Sequence, residues 1–220
     1  MPQHSVPSRR SFLKSSASLA AAVASALPIE RSAHAAGSDV IRVGLIGCGG
    51  RGTGAASQAL RAEANVKLVA MGDAFRDRLE SSLARLRHDS EIASKIDVEP
   101  DRCFVGFDAY QRVIDSGVDV VLLCEPPHFR PRHLKAAVEA GKHVFAEKPV
   151  AVDAPGVRSV LATCDEAKKK DLSVVSGLCL RYSHAFQETI RRLHDGAIGK
   201  IHALQANDFR GPIWTKPRQP

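Results

Sequence analysis

Aromatic residues are scarce: one tryptophan, two tyrosines and eight phenylalanines make up 5% of the 220 residues. Single-stranded nucleic acid is bound by aromatic platforms set among cations, and this chain has too few of them. Its formal charge of +7 falls to +4 once residues 1 to 35 are set aside, because Arg9, Arg10, Lys14 and Arg31 stand there against Glu30. The remaining charges are interspersed, as on a solvated surface, so no nucleic-acid partner is expected. Cysteine is sparse and unpatterned. Cys48, Cys103, Cys124, Cys164 and Cys179 are odd in number and form no CxxC pair, which argues against disulfides and favours buried, reduced cysteines acting as small apolar residues. His128 and His133 are five apart with a proline between them, which is not the spacing of a helical metal pair, and no metal site is expected. Long apolar runs are missing as well. The apolar stretch at residues 19 to 29 is short of the ~20 residues that span a bilayer, so no stable membrane anchor is expected.

That stretch belongs to an address. Ser8-Arg9-Arg10-Ser11-Phe12-Leu13-Lys14 is a twin-arginine signature, followed by alanine-rich sequence and the small-x-small site Ala33-His34-Ala35. The expected leader is 1–35, with a mature start at Ala36. A partner is thereby implied, the twin-arginine export machinery, which carries proteins that have already folded in the cytoplasm and often hold their cofactor. The expected destination is the periplasm or an equivalent exported location.

The chain after the leader is organised around residues 40 to 52, VIRVGLIGCGGRG. A β-branched run enters a turn carrying Gly47, Gly49 and Gly52. In this pattern the first glycine permits the sharp turn, the second admits a pyrophosphate against the backbone, and the third lets the next helix pack close to the strand. A dinucleotide is the expected ligand if a strand precedes the turn, a helix comes after it and an acid stands ~20 residues on. Residues 66 to 72, VKLVAMG, form a second apolar strand ending at Asp73, 21 residues beyond Gly52. A carboxylate there accepts hydrogen bonds from the adenosine ribose and repels a 2′-phosphate, favouring NAD over NADP. Arg76 keeps NADP possible, and Asp73 is equally suited to N-cap the segment starting at Ala74.

Strands and helices then alternate. Helices are expected at 53–63, 75–88, 108–115, 131–140, 154–169 and 184–194, and strands at 103–105, 118–124, 142–146 and 172–178, with an irregular excursion from Asp89 to Asp101. The continuous apolar run VDVVLLC marks a central strand covered on both faces. Single-helix connections predict an α/β fold with a doubly wound parallel sheet. Residues 199 to 210 alternate as a half-buried strand, but no later partner comes before the proline-rich GPIWTKPRQP. The expected division is a nucleotide-binding domain at 36–178 and the start of a truncated α+β domain at 179–220.

The glycine turn, Asp73, the pair Pro126-Pro127, AAVEAGKHVFAEKP at 136 to 149 and GLCLRY at 177 to 182 together resemble the Gfo/Idh/MocA oxidoreductases. This is the family of glucose-fructose oxidoreductase and inositol 2-dehydrogenase, and the resemblance covers nearly all of residues 40 to 210. It implies a Rossmann domain, an open-sheet C-terminal domain and a cleft between them for a sugar or polyol substrate, in a homo-oligomer. By that resemblance Lys148 is catalytic, Glu147 and the backbone near Pro126 border the nicotinamide, and Arg181 with Tyr182 approaches the substrate. Family members commonly carry threonine, proline, asparagine and, three residues later, histidine where this chain has Glu125, Pro126, Pro127 and Arg130. Glu125 thus puts an unexpected charge near the nicotinamide ribose.

The resulting expectation is an exported NAD(P)-dependent oxidoreductase acting on a sugar or cyclitol hydroxyl. Two other readings stay open at this point, an NAD-dependent glycosidase of the same superfamily and a non-catalytic dinucleotide-binding protein. Lys148 on residue type alone is as well read as a surface lysine, and Arg181, Tyr182 and Trp214 as packing groups.

Overall fold

The computed structural model describes residues 40–207 and 209. The leader, its cleavage site and Trp214 lie outside the described residues. β1 (Ile41–Ile46) leads into α1 (Gly50–Ala62), β2 (Val66–Asp73) and α2 (Arg76–His88). After two 3-10 turns come β3 (Cys103–Val105), α3 (Ala109–Asp115), β4 (Val120–Leu123), α4 (Arg130–Glu139) and β5 (His143–Ala146). α5 (Ala154–Lys169), β6 (Val174–Ser176), a 3-10 turn (Cys179–Tyr182) and α6 (His184–His194) complete the described elements.

The six strands pair in parallel in the order β3-β2-β1-β4-β5-β6. The chain therefore builds outward from β1 to β3 and then returns to lay β4 on the other side of β1. A crevice is left at the carboxyl ends of β1 and β4, the switch point where open α/β sheets hold their ligands.

Strand alternation divides the core in two. Val43, Leu45, Leu68 and Met71 meet Ala56 and Leu60 of α1 and Leu79 and Leu86 of α2 on one face. Ile46, Ala70, Val121 and Leu123 meet Val113 and Ile114 of α3, Leu134 and Val138 of α4 and Val160 of α5 on the other. Helix ends are set locally. The Asp153 carboxylate accepts from Gly156 N at 2.7 Å to cap α5. α4 ends with Gly141 at φ +72° and Lys142 N bonded to Ala137 O at 2.9 Å, the paired closure that a left-handed glycine allows.

Three expectations differ from the structure. α1 begins at Gly50, three residues before the expected start, because the glycine turn itself supplies its first turn. The strand expected at 199–210 is absent among the described residues: 201–207 have no regular structure and are exposed. Alternation alone does not make a strand, and among the described residues 201–207 pair with neither edge strand, β3 or β6. All five cysteines are free as expected, yet Cys179 is exposed and only Cys48 is fully buried, because the 3-10 turn carrying Cys179 lies beyond the sheet edge.

Candidate functional site

The switch-point crevice is a cleft of about 730 Å³, within the size range of small-molecule sites. Its floor is the glycine turn. Gly47 has φ +90°, and a Cβ there would stand 2.4 Å from Glu125 N, so only glycine lets β1 exit against β4. A Cβ on Gly52 would stand 1.8 Å from Gly47 O, which holds α1 hard against the turn. Gly49 is the opposite case, with nothing within 4 Å of a Cβ position. It forms the N-cap of α1 without any side-chain cap, and the first turn of that helix holds no acid. The unsatisfied N–H groups and positive dipole end favour an anion there. Arg51 adds a cation in the same turn, and Gly49 to Gly52 all line the cleft.

Asp73 closes the next side. Its Oδ2 accepts from Cys48 N at 2.6 Å and its Oδ1 from Phe75 N at 2.9 Å. The carboxylate thus ties the tip of the glycine turn to the end of β2, while its remaining lone pairs stay able to accept from a ribose hydroxyl. It does not N-cap the following helix: Phe75 holds that position and α2 starts at Arg76. Arg76 is not among the cleft-lining residues and lies 3.6 Å from Glu80, whereas Arg78 and Phe75 line the cleft. Burial, with help from the Asp73 charge, pushes the Cys48 thiol far up. Burial and then Glu125 push Cys124 up to about 12. Neither thiol is a nucleophile here.

The ends of β4 and β5 supply the remaining groups. Glu147 is 5% exposed. Its Oε1 accepts from Arg51 Nε at 2.7 Å and its Oε2 from Lys148 N at 3.3 Å, so the carboxylate bridges α1 and the β5 exit. Lys148 is exposed and lines the cleft, and among the described residues its ammonium has no hydrogen-bond or ion-pair partner. The Lys148–Pro149 peptide bond is cis. Glu125 is 6% exposed, with His133 Nδ1 3.4 Å and Arg130 Nε 3.9 Å from its Oε1. Tyr110 stacks on His133 with ring centroids 4.0 Å apart.

The structure therefore gathers Gly47, Gly49, Gly52, Asp73, Glu125, Pro126, Glu147 and Lys148 around one cleft. Arg181 and Tyr182 are not in its lining: they sit on an exposed 3-10 turn past β6. Arg51, Arg78, Arg130 and His133 line the cleft without having been singled out from the sequence as site residues. Only Arg130 carried a signal, standing where the family commonly has histidine. Among the described residues no cluster of side chains suited to a metal ion occurs. The group that this donor set fits is a dinucleotide, with open backbone N–H groups for phosphate and a fixed carboxylate for ribose.

Comparison with known proteins agrees with this geometry. The twin-arginine translocation signal model matches residues 6–26, and no described helix is long and apolar enough to cross a membrane. Myo-inositol 2-dehydrogenase of Thermotoga maritima is 30% identical over 165 residues, 75% of this chain and 44% of that protein. The NAD(+) scyllo-inositol 2-dehydrogenase of Bacillus subtilis is 25% identical over 73% of this chain and 42% of its own length. The solved structure of a 3-ketoreductase from Actinomadura kijaniata in complex with NADP is 26% identical, with a TM-score of 0.55 over 73% of this chain and 46% of that one. This chain thus spans less than half the length of each of these relatives. The model of the oxidoreductase family with an NAD-binding Rossmann fold matches residues 41–176, and the chain belongs to that family, Gfo/Idh/MocA.

Proposed function

We propose that this chain carries the nucleotide-binding half of an exported oxidoreductase that moves a hydride between the nicotinamide of NAD and a carbon-bound hydroxyl of a sugar or cyclitol. Gly47, Gly49 and the first turn of α1 would hold the pyrophosphate, and Asp73 the adenosine ribose. Glu125, Pro126 and Glu147 would border the nicotinamide end. When bound, NAD supplies the hydride acceptor.

The observation that carries the reading is Lys148, an unpartnered ammonium among the described residues, at the β5 exit in the same cleft as the glycine turn. Glu147, immediately before it, is spent on Arg51 at 2.7 Å, so the lysine is left free for a ligand. Its ammonium would donate to the substrate hydroxyl oxygen and stabilise negative charge developing there; in its neutral form the amine would take up the hydroxyl proton as the C–H bond gives up its hydride. The fixed Asp73 carboxylate disfavours a 2′-phosphate, and Arg78 at the cleft wall keeps NADP use open. Arg181 and Tyr182 would approach the substrate from the exposed 3-10 turn past β6. Inositol dehydrogenases and a ketoreductase among the relatives support a CH–OH substrate, and the twin-arginine signal supports periplasmic action.

The test is a polyol, cyclitol and sugar panel on full-length protein, read by nicotinamide absorbance. Turnover with at least one of them is expected, and Lys148→Ala should lower kcat by ~10²-fold or more while NADH affinity stays within a factor of about three. No absorbance change with any panel member, or full activity in Lys148→Ala, contradicts the reading.

A further inference from the structure

Arg130, the first residue of α4, is 2% exposed and heads the fully buried side chains by volume. A guanidinium is tolerated in such a place only when its N–H groups find acceptors and its charge a partner. Its Nη1 donates to Pro149 O and its Nη2 to Glu125 O. The Glu125 carboxylate, 3.9 Å from Nε, supplies the opposite charge, although neither Nε nor the carboxylate oxygens make a hydrogen bond among the described residues. That carboxylate is itself confined by His133 Nδ1 at 3.4 Å, and His133 by the stacked ring of Tyr110.

The two carbonyls belong to different loops. Glu125 comes after β4, and Pro149 comes after β5, directly beyond Lys148. Since the Lys148 ammonium has no partner among the described residues, contacts of the adjoining backbone determine where its side chain starts. On the side before it, Glu147 N donates to Leu123 O at 2.9 Å and Lys148 N to Glu147 Oε2 at 3.3 Å. On the side after it, through the next residue, stands the bond of Arg130 to Pro149 O.

We infer that Arg130 is a positioning residue, tying the β4 and β5 loops together so that Lys148 is presented to the cleft at a fixed place. This rests on the reading of Lys148 as the group that handles the substrate proton. A planar fork that reaches two carbonyls in fixed directions is not reproduced by the compact ammonium of lysine, whose donors sit on one atom and lack that geometry. Misplacing a reacting group by about 1 Å costs on the order of 10²-fold in rate.

The test compares full-length parent, Arg130→Lys and Arg130→Met by steady-state kinetics, NADH titration and amide hydrogen exchange. Arg130→Lys keeps the buried charge and serves where Arg130→Met does not fold. In the folded variant kcat should fall about 10- to 100-fold, with KM and NADH affinity within about threefold. Exchange at Lys148 and Val150 should quicken at least about tenfold while residues 47 to 52 are unaffected. Unchanged kcat, or unchanged exchange at Lys148 and Val150, overturns the inference. So does joint loss of kcat, KM and NADH affinity with faster exchange across the sheet, which marks a merely structural role. If the parent turns over no polyol, the functional reading fails, and exchange at Lys148 and Val150 alone then decides whether the clamp exists.

Discussion

Two alanine substitutions three residues apart in the glycine turn should have opposite effects. At Gly52 an added Cβ would lie 1.8 Å from Gly47 O. The struck atom is backbone and cannot swing away, because Gly47 is held at φ +90° with its own Cβ position 2.4 Å from Glu125 N. Overpacking of this kind costs about 3 kcal/mol, while replacing a helical glycine by alanine returns about 1 kcal/mol. The net loss is about 2 kcal/mol, or a fall in Tm of roughly 4–8 °C for a chain of this size. At Gly49 the backbone is an ordinary extended one, φ −70° and ψ −177°, with nothing within 4 Å of the Cβ position. Alanine there should change stability by about 0.5 kcal/mol or less, yet its methyl would enter the space left for the pyrophosphate. NADH affinity should drop at least ~10-fold. Urea titration, calorimetric melting and NADH titration of both variants supply the readings. A Gly52→Ala protein as stable as the parent would refute the packing argument, and a Gly49→Ala protein that binds NADH like the parent would refute the assignment of the turn.

Asp73→Ala would leave Cys48 N and Phe75 N without their acceptor. A loss of about 2 kcal/mol in urea titration is expected, together with a shift of roughly tenfold towards NADPH in the ratio of affinities, since the repelling charge is gone. Asp119 accepts from both the backbone and the guanidinium of Arg42, at 2.8 to 3.1 Å. Burial raises its pKa, but the Arg42 hydrogen bonds and charge outweigh that, and the net value lies below 3.8. A depressed carboxylate stabilises the fold above its unfolded pKa and loses that contribution as the pH falls through the folded value. The pair is more than a third exposed and screened, so Asp119→Asn should cost under about 1 kcal/mol at neutral pH. The difference from the parent should vanish in melts taken well below pH 3.8.

Much of this architecture was legible because its causes are local. Gly47, Gly49 and Gly52 are spaced by the requirements of one turn, and the apolar run ending at Cys124 has the character of a strand buried on both faces. Asp73 was legible as an acid at the right distance, but not as the group that grips Cys48 N, which depends on β1 and β2 being neighbours. The N-cap reading failed because Asp73 turns back to the glycine turn and Phe75 starts the helix instead. Arg130 was invisible as a clamp for the same reason: its two acceptors come from loops brought together only by the β1-β4-β5 pairing. At residues 199 to 210 the periodicity was present, but among the described residues no strand pairs with 201–207, so a pattern that predicts a strand produced none there. Arg181 and Tyr182 lie outside the cleft lining for a related reason, since the sheet ends at β6 and nothing described folds them back over the cleft.

The central claim is that the cleft holds NAD beside Lys148, loaded before export. Mass spectrometry of the nucleotide released on denaturing full-length protein, purified from the exported fraction, tests it most directly. One NAD or NADH per chain in the parent and its loss in Gly49→Ala is the expected result. An exported, folded parent that carries no dinucleotide and takes up neither NAD nor NADP on titration would contradict the account.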